Sequence, residues 1–288
     1  MAINGVILLN KERNVSSNKL VNKVKYLLKA DKAGHLGTLD VLGEGLLPIT
    51  LGKGTRLFEY YLNKDKIYKT VFKFGQTTDT LDLEGEVTQS NDIVVTLDEL
   101  TQVVQTFIGK QDQMPPIYSA KKINGQKAYD LARAGQRVEL KPKEIEIYNI
   151  SVLNQLEQNT FELEVHCSSG TYIRSLCRDI ATKLSTYGVM LSITRTKCGD
   201  FKIKDSYSLT DIENGIFKII ELDTLFDYEC IKLNKEDELK ILNGVYLSAS
   251  KLDINAVEGA TFKLFGLQGF LGLGIINQGK LKFLLRLI

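Results

Sequence analysis

The chain opens on GVILL, an apolar run that is short and bare of charge, and residues 3–10 read as a buried strand. The period then changes. In SSNKLVNKVKYLLKA the residues Leu20, Val21, Val24, Leu27 and Leu28 fall on one helical face, behind a cap at Ser16 or Ser17. TRLFEYYLN predicts a second helix, capped by Thr55. KIYKTVFKFG switches to period two: Tyr68, Thr70, Phe72 and Phe74 alternate with Lys69, Val71 and Lys73, which makes a strand with an aromatic face.

TTDTLDLEGE (77–86) reads as a polar turn. Thr96 and Glu99 spell a capping box for a helix that turns Leu100, Val103, Val104 and Phe107 inward and is closed by Gly109. Residues 110–143 are irregular, basic and tyrosine-bearing. Strands are expected at about 144–153 and 160–168, followed by a helix capped by Thr171. Its apolar stripe is Ile173, Leu176, Cys177, Ile180 and Leu184, with Arg174 and Arg178 off the stripe. After about residue 228 the texture turns to short glycine-bounded strands, ending in the hairpin-like LGIINQGKLKFLLRLI. This order predicts an α+β fold with a body over 1–228, interrupted at 110–143, and a small β-rich part over 229–288.

Composition narrows the class. With 288 residues, 43% of them hydrophobic and 25% charged, the chain is long enough for a sizeable core and is ordinary for a globular protein. Cys167, Cys177, Cys198 and Cys230 show no C-x-x-C spacing, which argues against a zinc site or disulfide framework and fits a reducing compartment. The apolar N-terminus lacks a basic leader and a cleavage site, and FKLFGLQGFLGLGII carries Lys263 and Gln268 and is broken by glycines. A soluble, cytoplasmic protein is expected. Net charge is only +2, but residues 1–70 hold twelve Lys and Arg against six Asp and Glu, and residues 110–143 hold eight against three. Two basic segments on a near-neutral chain suit a face for a polyanion; ordinary solvated lysines are about as good an account from charge alone.

The chemistry has few places to reside. GLLPITLGKGT misses the P-loop pattern, because six residues separate Gly45 from Gly52 and Gly54 stands where the hydroxyl belongs. His35 and His166 are the only imidazoles, Asp79, Asp82 and Glu84 do not fit calcium-loop spacing, and no G-x-S-x-G is present. No metal or cofactor is expected. There remains Asp40, in AGHLGTLDVLGEGLLPITLGKG. Asp is common in turns for local reasons. Here Gly34, Gly37, Gly43 and Gly45 would let a large ligand approach the backbone, and an arginine such as that in HCSSGTYIRSL could hold the carboxylate as a nucleophile or base.

GHLGTLD, GLLPITLGKGTRL, KIYKTVFKFGQTTDTLDLEGE, MPPIYSAKKINGQKAYDLARAG and HCSSGTYIRSLCRDIATKL together resemble, in order, the TruB-type tRNA pseudouridine synthases. The resemblance covers about residues 3–200 closely and the tail weakly. It implies a mixed, largely antiparallel sheet flanked by helices, with a C-terminal PUA-like domain, and a cofactor-free isomerase that makes pseudouridine from uridine 55 in the T loop of tRNA. It also implies a monomer with no obligatory protein partner. An RNA-binding or tRNA-folding module with secondary or no catalysis is the alternative.

Carried over by motif, Asp40 matches the catalytic aspartate that attacks the nucleoside, and His35 a histidine that contacts RNA beside the flipped base. Tyr68 matches the tyrosine that stacks on the uracil and takes part in proton transfer. Tyr172 and Arg174 match a base-packing tyrosine and the arginine paired with the aspartate. Asp82 matches an acid that orients that arginine, and Ile193 falls where a leucine usually lines the pocket. Residues 110–143 match the insertion that closes on the T stem-loop. Val41, the GEG at 43–45 and Glu12 after Lys11 depart from the usual pattern.

Overall fold

A computed structural model describes residues 3–118, 122–123, 126–127, 140–252 and 257–288. Its first strands are β1 (Gly5–Lys11), β2 (Ala33–His35), β3 (Glu44–Leu51) and β4 (Lys66–Phe74). Two short strands, β5 (Gln76–Thr78) and β6 (Val87–Ser90), pair with each other, and β7 (Gly109–Gln113) follows. A two-residue pair, β8 (Lys122–Ile123) and β9 (Gln126–Lys127), lies within the insertion. Then come β10 (Lys143–Glu157), β11 (Thr160–Cys167), β12 (Gly188–Cys198) and β13 (Phe201–Lys202).

Among the described residues the main sheet runs β1-β3-β12-β4-β11-β10-β7, with β2 on β3 and β13 on β12. Its ladders are antiparallel except β3–β12, which is parallel. β4 lies in the middle, and its alternation is realised: Tyr68, Thr70, Phe72 and Phe74 are buried while Lys69 is exposed. That buried face packs under helices Leu97–Gln105 and Ile173–Lys183 through Leu100, Val104, Ile173, Leu176 and Ile180. Burying one face of a central strand against helices fixes its register, since a one-residue slip would turn the aromatic face to solvent.

The helix starts are local chemistry. Ser16 accepts from the Lys19 N–H at 3.3 Å and caps helix Ser17–Leu27. Thr96 and Glu99 form the reciprocal capping box in full. Three expected boundaries differ. Residues Gly52–Leu57 wind as a 3-10 turn, so Thr55 donates back to the Gly52 carbonyl and α-helix begins only at Phe58. Helix Leu97–Gln105 ends before Gly109, whose φ of +108° instead opens β7. Thr171 donates to the Ser168 carbonyl, and Tyr172 takes the cap position without a side-chain bond.

The tail folds as a five-stranded sheet in the order β14-β16-β17-β18-β15, from β14 (Cys230–Lys232), β15 (Leu247–Ser248), β16 (Thr261–Gly266), β17 (Gly269–Asn277) and β18 (Lys280–Arg286). β17 and β18 are the expected hairpin; helix Lys235–Leu242 is an addition the pattern did not show. The sheet has its own core, including Ile241, Leu264 and Leu281. Leu273 and Leu287, however, are buried with Leu57, Tyr61, Leu222 and Phe226 of the larger body. Arg56 also donates to the carbonyls of Arg286 and Ile288. The architecture is α+β, a largely antiparallel sheet flanked by helices with a β-rich C-terminal region.

Candidate active site

The loop 36–43 leads from β2 into β3, and β4, β12 and the start of helix Ile173–Lys183 close around it. Between them is a cavity of about 400 Å³, within the range of small-ligand sites. Asp40, His35, Tyr68, Tyr172, Arg174 and Ile193 all line it. Asp82 is placed behind Arg174, so every residue singled out in the sequence belongs to one constellation.

Arg174 is its hub. Its Nη2 meets Asp40 Oδ2 at 3.0 Å and donates to the Tyr118 carbonyl, while Nη1 meets Asp82 Oδ2 at 3.1 Å and donates to the Thr80 carbonyl. The guanidinium fork thus bridges two carboxylates of opposite exposure: the Asp40 side chain is 56% exposed and that of Asp82 only 6%. Arg174 itself is buried, contrary to its expected place off the apolar stripe. Helical side chains lean toward the N-terminus, which carries Arg174 into the cavity rather than outward.

Asp82 is not a solvated turn residue either. Its Oδ1 accepts from the Thr80 hydroxyl at 2.6 Å and the Glu84 N–H at 3.1 Å. The preceding Leu81 holds φ +65° and accepts from the Met190 N–H, docking the turn against β12. A non-glycine residue in that left-handed region costs about 1–2 kcal/mol, offset here by the buried carboxylate network.

The loop that presents Asp40 is fixed from below. Ser17 exchanges two hydrogen bonds with the Leu39 backbone, and Asn14 N–H donates to the Val41 carbonyl. Lys11, 1% exposed, donates to the carbonyls of Glu12, Val41 and Gly43. Desolvation pulls its amine down to about 8, against the attraction of Asp40 and Glu44. Gly45, at φ +94°, is glycine because a Cβ would stand 2.5 Å from the Arg195 carbonyl across the parallel ladder. That close approach is made by β12, so at this position the glycine serves the sheet rather than a ligand.

Tyr68 is 9% exposed, and burial pushes its phenol up to about 12 while the Arg195 guanidinium opposes the rise. His35 is held below the ordinary imidazole value, first by burial and then by Arg195, so it is neutral at pH 7. Its Nδ1 accepts from the Gly37 N–H at 3.3 Å. Tyr172 is set by Gln113, which donates to its carbonyl at 3.1 Å and accepts from its N–H at 2.8 Å. Among the described residues no cluster of His, Cys, Asp and Glu could hold a metal. Lys11, Arg195 and Gln113 were missed in the sequence. No local pattern could have marked Arg195, because a bulge after it breaks the alternation of β12.

A model of the TruB family pseudouridylate synthase N-terminal domain matches residues 25–173, just over half of the chain. The chain belongs to this family. A "tRNA pseudouridine synthase B" of Caldanaerobacter subterraneus is 35% identical over 284 residues, covering 98% of either chain. One of Francisella philomiragia is 36% identical, covering 97% of this chain and 93% of its own length. Among solved structures, a Cbf5-Nop10-Gar1 complex superposes with TM-score 0.68 at 24% identity, covering 94% of this chain and 78% of the other. An H/ACA RNP bound to a substrate RNA containing 2'-deoxyuridine gives TM-score 0.67 at 21% identity, covering 99% and 85%. At that identity these structures share the fold.

The protein is therefore an isomerase of the TruB family, and its pseudouridine-synthase fold is the one its sequence motifs implied. No helix of the described residues is long and apolar enough to cross a membrane.

Proposed function

We propose that this TruB-family enzyme converts uridine 55 in the T loop of tRNA to pseudouridine, with Asp40 as nucleophile and no cofactor. The observation that carries the reading is the half-exposed Asp40 carboxylate, aimed by a buried arginine at the mouth of a cavity with Tyr68 in its wall. A uridine in a folded loop must leave its stack to reach such a cavity, at a cost of a few kcal/mol. Stacking on Tyr68 or Tyr172 returns about 1–3 kcal/mol of that cost. Asp40 attacks the nucleoside, the bond from ribose to ring nitrogen breaks, and the ring turns to present carbon 5. The new carbon–carbon bond forms, the bond to Asp40 is released, and the carbon 5 proton leaves.

The chain is read as two domains, 1–228 for catalysis and 229–288 as a short PUA-like domain, acting as a cytoplasmic monomer. Most of the basic insertion, the segment assigned to grip the T stem-loop, lies outside the described residues. The fold is shared with synthases of H/ACA RNP assemblies, but the relatives at 35–36% identity are named tRNA enzymes, which favours a stand-alone synthase.

The test is tritium release from a tRNA transcript labelled at uridine carbon 5, with no other component added. Wild type should release tritium from position 55, and Asp40→Asn should bind tRNA and lose at least about 10⁴ in rate. Release by Asp40→Asn would remove the nucleophile assignment. No release by a folded, tRNA-binding wild type would favour a binding or folding module.

A further inference from the structure

Arg195 is the largest fully buried side chain of the described residues, 1% exposed, and none of their carboxylates lies in ion-pair range of it. An unpaired charge in such a place costs several kcal/mol unless its donors are satisfied. They are. Nε donates to the Leu46 carbonyl at 2.8 Å and Nη2 to the Gly37 carbonyl at 3.0 Å, with Thr38 at 3.5 Å from Nη1. In the β12–β4 ladder Arg195 is the direct partner of Tyr68, and both side chains line the cavity. One buried cation thus ties the loop leading to Asp40 to the ring in the cavity wall.

A guanidinium carries donors only, so beside it the phenol presents its oxygen and turns its hydrogen elsewhere. We propose that Arg195 is a positioning residue for Tyr68: it turns the phenol O–H toward the extruded base and stabilises the phenolate left when that proton is given up. The hydroxyl proton goes to the ring nitrogen freed by glycosidic cleavage, and the phenolate then takes the proton displaced from carbon 5. Tyr68 ends as it began, and no outside acid or base is consumed. Of the other groups around the phenol, Cys198 on β12 and Cys167 on β11 oppose ionisation, His35 is neutral, and Lys66, on the same face of β4, is drawn away to the Leu62 and Lys64 carbonyls. Asp40 and Arg174, on the cavity's other elements, are paired with each other.

The proposal rests on the isomerase reading above, but its first test needs no substrate. 3-Fluorotyrosine is placed at 68 or, as a second buried phenol without the cation, at 61, and its ¹⁹F shift is titrated in the full-length free enzyme. Position 68 should titrate below position 61, and Arg195→Met should raise the midpoint at 68 by about one unit while leaving 61 in place. Arg195→Lys should lie between. In single-turnover assays Arg195→Met should lose about 100-fold in rate with tRNA affinity changed less than about threefold, and Arg195→Lys should recover part of the rate. Tyr68→Phe with Arg195→Met should lose far less than the product of the two single losses. A midpoint at 68 that neither variant moves, or losses that multiply in the double variant, would overturn the proposal. If Arg195→Met does not fold, the order of 68 and 61 in wild type and the shift in Arg195→Lys decide it, and a reversed order counts against it. A wild type that makes no pseudouridine would defeat the isomerase reading on uridine 55 while the titration still judged the arginine–tyrosine pair.

Discussion

On one wall of the cavity Arg174 is matched by two carboxylates, Asp40 and Asp82; behind the other, Arg195 and Lys11 are buried against backbone carbonyls with no carboxylate in ion-pair range among the described residues. The paired wall contains the side chain that reacts, and its charges fix direction: the fork holds Asp40 at a set angle because Asp82 holds the fork. The unpaired wall contains no nucleophile; its reacting group is the Tyr68 phenol, which only moves protons. Its charges hold loops by their carbonyls and set a positive potential in which His35 stays neutral and the Tyr68 phenol is easier to ionise than burial alone would allow. Pairing positions a group, whereas an unpaired buried cation tunes its neighbours.

The comparison breaks first at Arg174. Arg174→Ala leaves Asp82 buried without a counter-charge, a loss of about 3–5 kcal/mol in stability, and frees Asp40 to swing toward solvent. Turnover should fall about 10³-fold while tRNA affinity changes little, read by single-turnover rate and filter binding on protein shown folded by circular dichroism. Equal losses in rate and affinity would mean that Arg174 grips RNA rather than aims the carboxylate. Asp82→Asn is the milder cut. The amide still accepts from Thr80 and Glu84 but no longer balances the guanidinium, and a rate loss of about 10- to 100-fold with unchanged affinity is expected.

Gln113→Ala tests positioning without charge. It leaves the Tyr172 N–H without its partner at the helix start, while the Tyr172 carbonyl keeps the Leu176 N–H, and the change should cost about 1–3 kcal/mol in chemical denaturation and slow turnover less than 10-fold. A rate loss as large as that of Arg174→Ala would show that backbone placement of Tyr172 matters as much as aiming Asp40.

What the sequence disclosed of all this follows from which interactions are local. Capping at Ser16 and Thr96, and the alternation of β4, depend on neighbours within a few residues, and all three stand as read. The paired wall was legible through the motifs that carry Asp40, Tyr172 and Arg174, although Asp82 looks like a turn residue until β12 docks on it. The unpaired wall was not legible. Lys11 meets its carbonyl partners 30 and 32 residues away, and Arg195 meets Gly37 158 residues away, so nothing beside either lysine or arginine marks it as buried. A bulge after Arg195 also breaks the alternation, turning Lys197 outward to Asp65 while Cys198 faces in. The glycines misled in the other direction, since the room at Gly45 is taken by the backbone of β12.

The smallest expected effect separates the two buried cations on the unpaired side. Arg195 cannot shed its proton, but the Lys11 amine, at about 8 when folded against 10.5 when free, can. Between those values the unfolded chain holds a proton that the folded chain has released, so the contribution of Lys11 to stability rises with pH across about 8 to 10.5, and the penalty for burying the charge is complete below 8. Thermal unfolding of wild type and Lys11→Met from pH 7 to 10.5 should therefore diverge in favour of wild type as pH rises. Parallel curves would mean that the amine stays charged and the wall behaves as one. Because a neutral amine still donates to the Val41 and Gly43 carbonyls, the loop bearing Asp40 keeps its anchor through this titration. The rate should then hold steady over the range in which stability changes, which identifies Lys11 as a clamp on the loop and leaves the electrostatic work to Arg195.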